Sequence, residues 1–115
     1  MPGFEKSPPE LVTRFGEVVA RFPEVARRKM FGFPAIFVGG NLVSGLYEDA
    51  WMVRLPDEDR TELLAIPGAA PFEPMAGRTM KGYAVLPPAI VADDAALESW
   101  LRRAIAFGQT LPAKQ

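Results

Sequence analysis

The chain has 115 residues, 49% of them hydrophobic and 23% charged, with a formal net charge of −1. That is the make-up of one globular domain, large enough to build a core without covalent staples. It holds no cysteine and no histidine, which excludes disulfides, thiolate metal sites, cysteine nucleophiles and imidazole bases. The near-neutral balance supplies no global field toward nucleic acid. No apolar run approaches the ~20 residues of a membrane span. The opening MPGFEKSPPE lacks the charged-then-apolar layout of a signal peptide, so a cytoplasmic chain without a membrane segment is expected. Neither a repeat nor a linker divides the chain, so residues 1–115 read as one domain with an ordered core over about 8–108.

In chain order, Ser7-Pro8-Pro9-Glu10 reads as a capping box with proline at the start of a helix over about 8–22. Leu11, Phe15, Val18, Val19 and Phe22 supply its apolar face. Glu17 and Arg21 form a favourable pair one turn apart, and Pro23 stops the helix. The basic run Arg27-Arg28-Lys29 leads into Met30 to Pro34. Ala35 to Val38 reads as a strand, Gly39-Gly40-Asn41 as a turn and Leu42 to Tyr47 as the returning strand. After Glu48-Asp49, Ala50 to Leu55 reads as a third strand, completing an antiparallel meander. Pro56 opens a second helix with Asp57, Glu58 and Asp59 in its first turn and Leu63, Leu64 and Ile66 on its buried side. Pro67-Gly68 ends it. An irregular stretch to Gly77 has Phe72 in a short strand, and Thr79 to Leu86 is a further strand closed by Pro87-Pro88. Asp93 or Asp94 caps a last helix with Leu97, Trp100, Leu101, Ala104 and Ile105 inward.

The order is helix, three strands, helix, one or two strands, helix. This is an α+β domain, an antiparallel sheet of four to five strands with helices packed on it. Trp51, Val53 and Leu55 lie on one face of the third strand; Ala50, Met52 and Arg54 lie on the other. Both faces are largely apolar, and three short helices leave one of them short of cover. A homodimer that buries the second face is therefore expected.

Catalysis finds little to work with. The carboxylate groups Glu48-Asp49, Asp57 to Asp59 and Asp93-Asp94 sit in turns and helix starts, where capping and solvation account for them. Ser7 is read as a cap and Ser99 as exposed. Ser44 alternates with Leu42 and Leu46 in a strand, half-buried, and no histidine exists to activate it. The glycines match no phosphate-binding consensus. No calcium-loop pattern appears, so no metal and no cofactor are expected. Arg54 interrupts an apolar strand and needs a compensating partner, as a structural salt bridge, an interface anchor or an anion-binding group. Arg27, Arg28, Lys29, Arg78, Lys81, Arg102 and Arg103 could contact phosphates if they converge.

Lys29-Met30-Phe31-Gly32-Phe33-Pro34, Phe37-Val38, Leu46 to Pro56 and Asp59-Arg60 together resemble the TfoX/Sxy N-terminal domain family. Phe72-Glu73-Pro74-Met75-Ala76-Gly77-Arg78-Thr79-Met80-Lys81-Gly82-Tyr83, closed by Leu86-Pro87, resembles the family's second signature. The resemblance spans about residues 8–108. It implies an α+β fold similar to the secretion-chaperone-like arrangement of helices around a five-stranded sheet. Full-length members regulate DNA-uptake competence in bacteria and carry a further C-terminal helical domain. A chain ending at Gln115 is expected to stand without that domain. The family pattern supplies no catalytic residues. The reading is thus a non-enzymatic protein-interaction module of bacterial transcriptional or competence-type regulation. Lys29, Arg54, Arg78 and Lys81 are its candidate interaction residues, each a charge within an apolar signature. Direct nucleic-acid binding through Arg27-Arg28-Lys29 and Arg78/Lys81 is the alternative, and a small-ligand-binding domain is the third.

Overall fold

A computed structural model describes residues 6–114. The first half of the amino-terminal segment read above for targeting, and the last residue of the 1–115 domain, lie outside the described residues. The elements are α1 (Pro9–Val19), β1 (Ala26–Met30), β2 (Phe33–Val38), β3 (Asn41–Tyr47), β4 (Ala50–Arg54), α2 (Asp57–Leu64), β5 (Ala70–Pro71), β6 (Tyr83–Val85), α3 (Pro88–Val91) and α4 (Asp94–Thr110). The six strands form one antiparallel sheet in the order β1-β2-β3-β4-β6-β5. The α+β reading holds, with more strands than expected.

The extra strand comes from the basic run. Phe31 and Gly32 both adopt positive φ, 55° and 82°, the signature of a two-residue type I′ turn. That turn folds β1 back on β2, pairing Met30 with Phe33, Lys29 with Pro34 and Arg28 with Ala35. Local composition hides this strand, because four of its five residues are exposed and three are charged. Pro34 also limits the sheet. Register between β2 and β3 begins at Ala35 opposite Gly45, since proline has no N–H to bond with β3.

The helix ends depart from expectation in explicable ways. Pro8 is the N-cap of α1, with no side-chain cap bond. Two prolines push the start of the helix past Ser7, whose buried Oγ has no partner, so no capping box forms. The helix proper ends at Val19, and Phe22 is buried in the turn that follows. Leu64 of α2 is exposed, leaving Leu63 as that helix's buried residue. The expected strand from Thr79 shrinks to Tyr83–Val85, because Gly82 turns at φ 90° just before it. Pro88 opens the short helix α3 instead of closing a strand. Asp93 caps α4 by accepting from the Ala96 N–H at 3.2 Å. Leu97, Trp100, Leu101, Ala104 and Ile105 are all buried, as the spacing requires.

One sheet face takes the helices. Phe15 of α1 packs on Trp51 at 4.9 Å between ring centroids. Gly108 of α4 lies so close to the sheet that a Cβ there would sit 2.5 Å from Val43 Cγ1. Ion pairs brace the layer: Arg14 to Asp94 at 2.8 Å, Arg21 to Glu98, and Arg103 to Glu62 at 2.9 Å. Arg21 thus makes its direct ion pair across to α4, while Glu17 acts on it favourably at longer range. The opposite face is covered by the chain itself. Phe72 contacts Tyr47 and Tyr83 at 5.6 and 6.5 Å, and Tyr47 Oη donates to the Pro74 carbonyl at 3.0 Å. Phe33 adds a further ring against Tyr47 at 5.1 Å. Met52, on this face, is fully buried. Residues of the irregular proline-rich segment thus cover part of the second face for which a homodimer was expected.

Candidate functional site

The four candidate cations fall at three places. Arg54 and Lys81 come together on one open cleft of about 780 Å³, lined also by Leu55, Asp57, Asp59, Arg60 and Phe107. The Arg54 guanidinium lies 5.6 Å from the Tyr83 ring centre and 5.8 Å from that of Phe107. Among the described residues it makes no ion pair. Two aromatic faces supply the compensation that a carboxylate was expected to give. Burial holds the Tyr83 phenol above its ordinary pKa, while neighbouring Arg54 pulls the other way. The three cations of the cleft face three carboxylates, Asp57, Glu58 and Asp59, so it has no net charge for a simple anion. Arg60 is already committed to Asp57 and to the Leu55 carbonyl. Arg78 sits at the tip of a small hairpin, bridged to Met75 and exposed. Lys29 lies in β1 and lines a separate shallow cleft with Lys6, Ser7 and Val12.

Strand geometry divides the basic run. Adjacent side chains of β1 point to opposite faces. Arg27 turns toward α1, where a Cβ on Gly16 would come within 3.3 Å of its Nη2. Arg28 turns the other way, its guanidinium 5.7 Å from the Phe37 ring centre. Lys29 returns to the α1 side beside Val12. Arg102 and Arg103 are bound to Glu98 and Glu62. Of the seven cations considered for phosphate contact, two are thus paired with carboxylates and the β1 run is split between two faces. Ser44 does not stand ready for chemistry either. It is fully buried, donates to the Met52 carbonyl at 2.7 Å and accepts from Trp51 Nε1 at 3.0 Å. Among the described residues no cluster of three or more metal-binding side chains forms, and no helix is long and apolar enough to cross a membrane.

The feature that residue-by-residue reasoning missed is a backbone one. β1 is the last strand on its side of the sheet. In a hairpin closed by a two-residue turn, the pair flanking the turn is hydrogen-bonded and the pairs then alternate. Met30, Arg28 and Ala26 therefore aim their N–H and C=O groups at β2. Arg27 and Lys29 aim theirs outward from the sheet. Pro34 opposite Lys29 fits this alternation, because that position asks no N–H of the proline. At the other edge β5 has only two residues, one of them Pro71, and offers almost no template. The phenylalanine in the turn masked the signal, since I′ turns usually advertise themselves with Asn-Gly or Asp-Gly.

These features define a small α+β sheet domain, helix-covered on one face and aromatic-lined on the other, with one extended edge, β1, that is basic and unpaired among the described residues. A family model described as the TfoX N-terminal domain matches residues 17–108, and the chain belongs to that family. No curated protein and no solved structure matches the chain.

Proposed function

We propose that this chain is a non-enzymatic interaction domain that acts through protein contact in bacterial transcriptional or competence-type regulation, in the cytoplasm. The observation that carries this reading is the open β1 edge. It is five residues long, with Ala26 to Lys29 all exposed. Sheet edges of this length are normally covered or shortened, because unpaired N–H and C=O groups recruit other strands. Family membership supports the regulatory setting. Among the described residues the two buried polar side chains, Asn41 and Ser44, are committed to structural bonds, which favours adhesion over reaction.

Site-specific photo-crosslinking tests it. A photoreactive residue at Ala26, on the edge, is compared with one at exposed Thr61 on α2. In cells expressing the full chain, a discrete adduct of fixed mass is expected from position 26 alone. Its partner should belong to the transcription apparatus or its regulators. Equal adducts from both positions, or none from position 26, contradict the reading.

A further inference from the structure

We infer that β1 is a strand-addition site for an extended acidic segment of another protein, and that its charge keeps a second copy of this chain away. The inference rests on the interaction reading above and names the class of partner for that same edge.

Backbone and side chains agree on this partner. The outward N–H and C=O groups of Arg27 and Lys29 form the hydrogen-bonding ladder that an incoming strand needs. Arg27, Arg28 and Lys29 have no carboxylate partner among the described residues. By contrast Arg14, Arg21, Arg60, Arg102 and Arg103 are all paired. Arg54, Arg78 and Lys81 also lack a carboxylate partner but stand apart, whereas these three are consecutive on the strand whose backbone is open. Lys6 lies beside Lys29 on the α1 side and adds to the same field.

Charge then selects the occupant. Two β1 strands paired antiparallel about Arg28 place Arg28 opposite Arg28 and Arg27 opposite Lys29. Like charges directly opposite destabilise a ladder. An incoming strand with three consecutive carboxylates meets the run residue by residue, since both strands alternate faces in step. Two of its carboxylates reach Arg27 and Lys29, and the middle one reaches Arg28. Arginine–carboxylate pairs supply both attraction and geometry.

The test uses a capped synthetic peptide, Val-Thr-Glu-Glu-Glu-Val-Thr, titrated into the full chain with amide NMR as readout. Binding is expected, with shifts centred on Arg27 and Lys29, and weakening at least tenfold from low to high salt. Two alternately N-methylated peptides probe the backbone without touching the protein. One should lose binding at least tenfold and the other retain it. Lys29→Pro removes an outward N–H without breaking a β1–β2 bond, and should also lose at least tenfold. Retained binding by both methylated peptides overturns strand addition. Equal binding of the Lys-for-Glu peptide, or of a single-stranded oligonucleotide, overturns the acidic-strand assignment. No binding of the acidic peptide overturns the partner class, while the crosslinking at Ala26 judges separately whether the edge is used at all.

Discussion

At Ser44 Oγ two hydrogen bonds meet in the middle of the core, one given to Met52 and one taken from Trp51. Trp51 is 1% exposed and packs on Phe15, so its indole N–H has no water to turn to. Removing the hydroxyl leaves that donor buried and unsatisfied, which costs about 1–3 kcal/mol. Ser44→Ala is accordingly expected to lower the unfolding free energy by that amount, read as a lower urea midpoint at an unaltered m-value. A neutral Ser44→Ala would mean the hydroxyl is not structural. Arg54 shows the same economy of polar groups. A charge that interrupts an apolar strand is held between Tyr83 and Phe107 rather than by a carboxylate.

Between elements, the closest approach is α4 against the sheet at Gly108. Alanine there gains about 1 kcal/mol of helix propensity. Its Cβ would also stand 2.5 Å from Val43 Cγ1 and 3.2 Å from Val38 Cβ. Overpacking of that kind costs about 1–3 kcal/mol, so Gly108→Ala should destabilise despite the better helix former. Val43→Ala in the same chain opens the space, and the pair should show positive coupling in a double-mutant cycle by thermal denaturation. Strict additivity would place the strain elsewhere. The helix α4 was legible in sequence because Leu97 to Ile105 repeat at helical spacing, and β3 and β4 because their apolar runs are bounded by turns. β1 was not, because its strand character comes from pairing and not from its own side chains. Arg27, Arg28 and Lys29 look like a solvated run until the turn at Phe31-Gly32 lays them along β2. The candidate site suffered likewise. Lys29 was singled out for its charge, but an edge position depends on the order of strands, which no local pattern records. Arg54 and Lys81 share a cleft only because β4 pairs with the strand that follows Lys81.

Over the whole molecule, the absence of histidine sets the pH behaviour. Asp94 is held below the ordinary carboxylate range by its hydrogen bond from Arg14, and Glu62 by its bond from Arg103. A depressed folded pKa adds stability above the unfolded value and loses it as pH falls through the folded one. Burial raises the Tyr47 and Tyr83 phenols, so their contribution is present below the unfolded pKa and lost as pH rises through the folded one. Chemical denaturation should therefore give a plateau between about pH 5 and 9, with losses below about pH 4 and above about pH 10. A side-chain transition centred near neutrality would contradict this. On that stable platform the described residues leave the β1 edge without a neighbouring strand on its outer side. Helices cover the first face, Phe72 and its neighbours cover part of the second, and the proposed contact surface is the β1 margin.

Hydrogen exchange along β1 of the free chain tests that openness most directly. The amides of Arg28 and Met30 should exchange slowly, locked to β2, while those of Arg27 and Lys29 exchange near the rate of unstructured backbone. Slow exchange at all four positions, above all if it deepens with protein concentration, would mean that the edge is already occupied and the account is wrong.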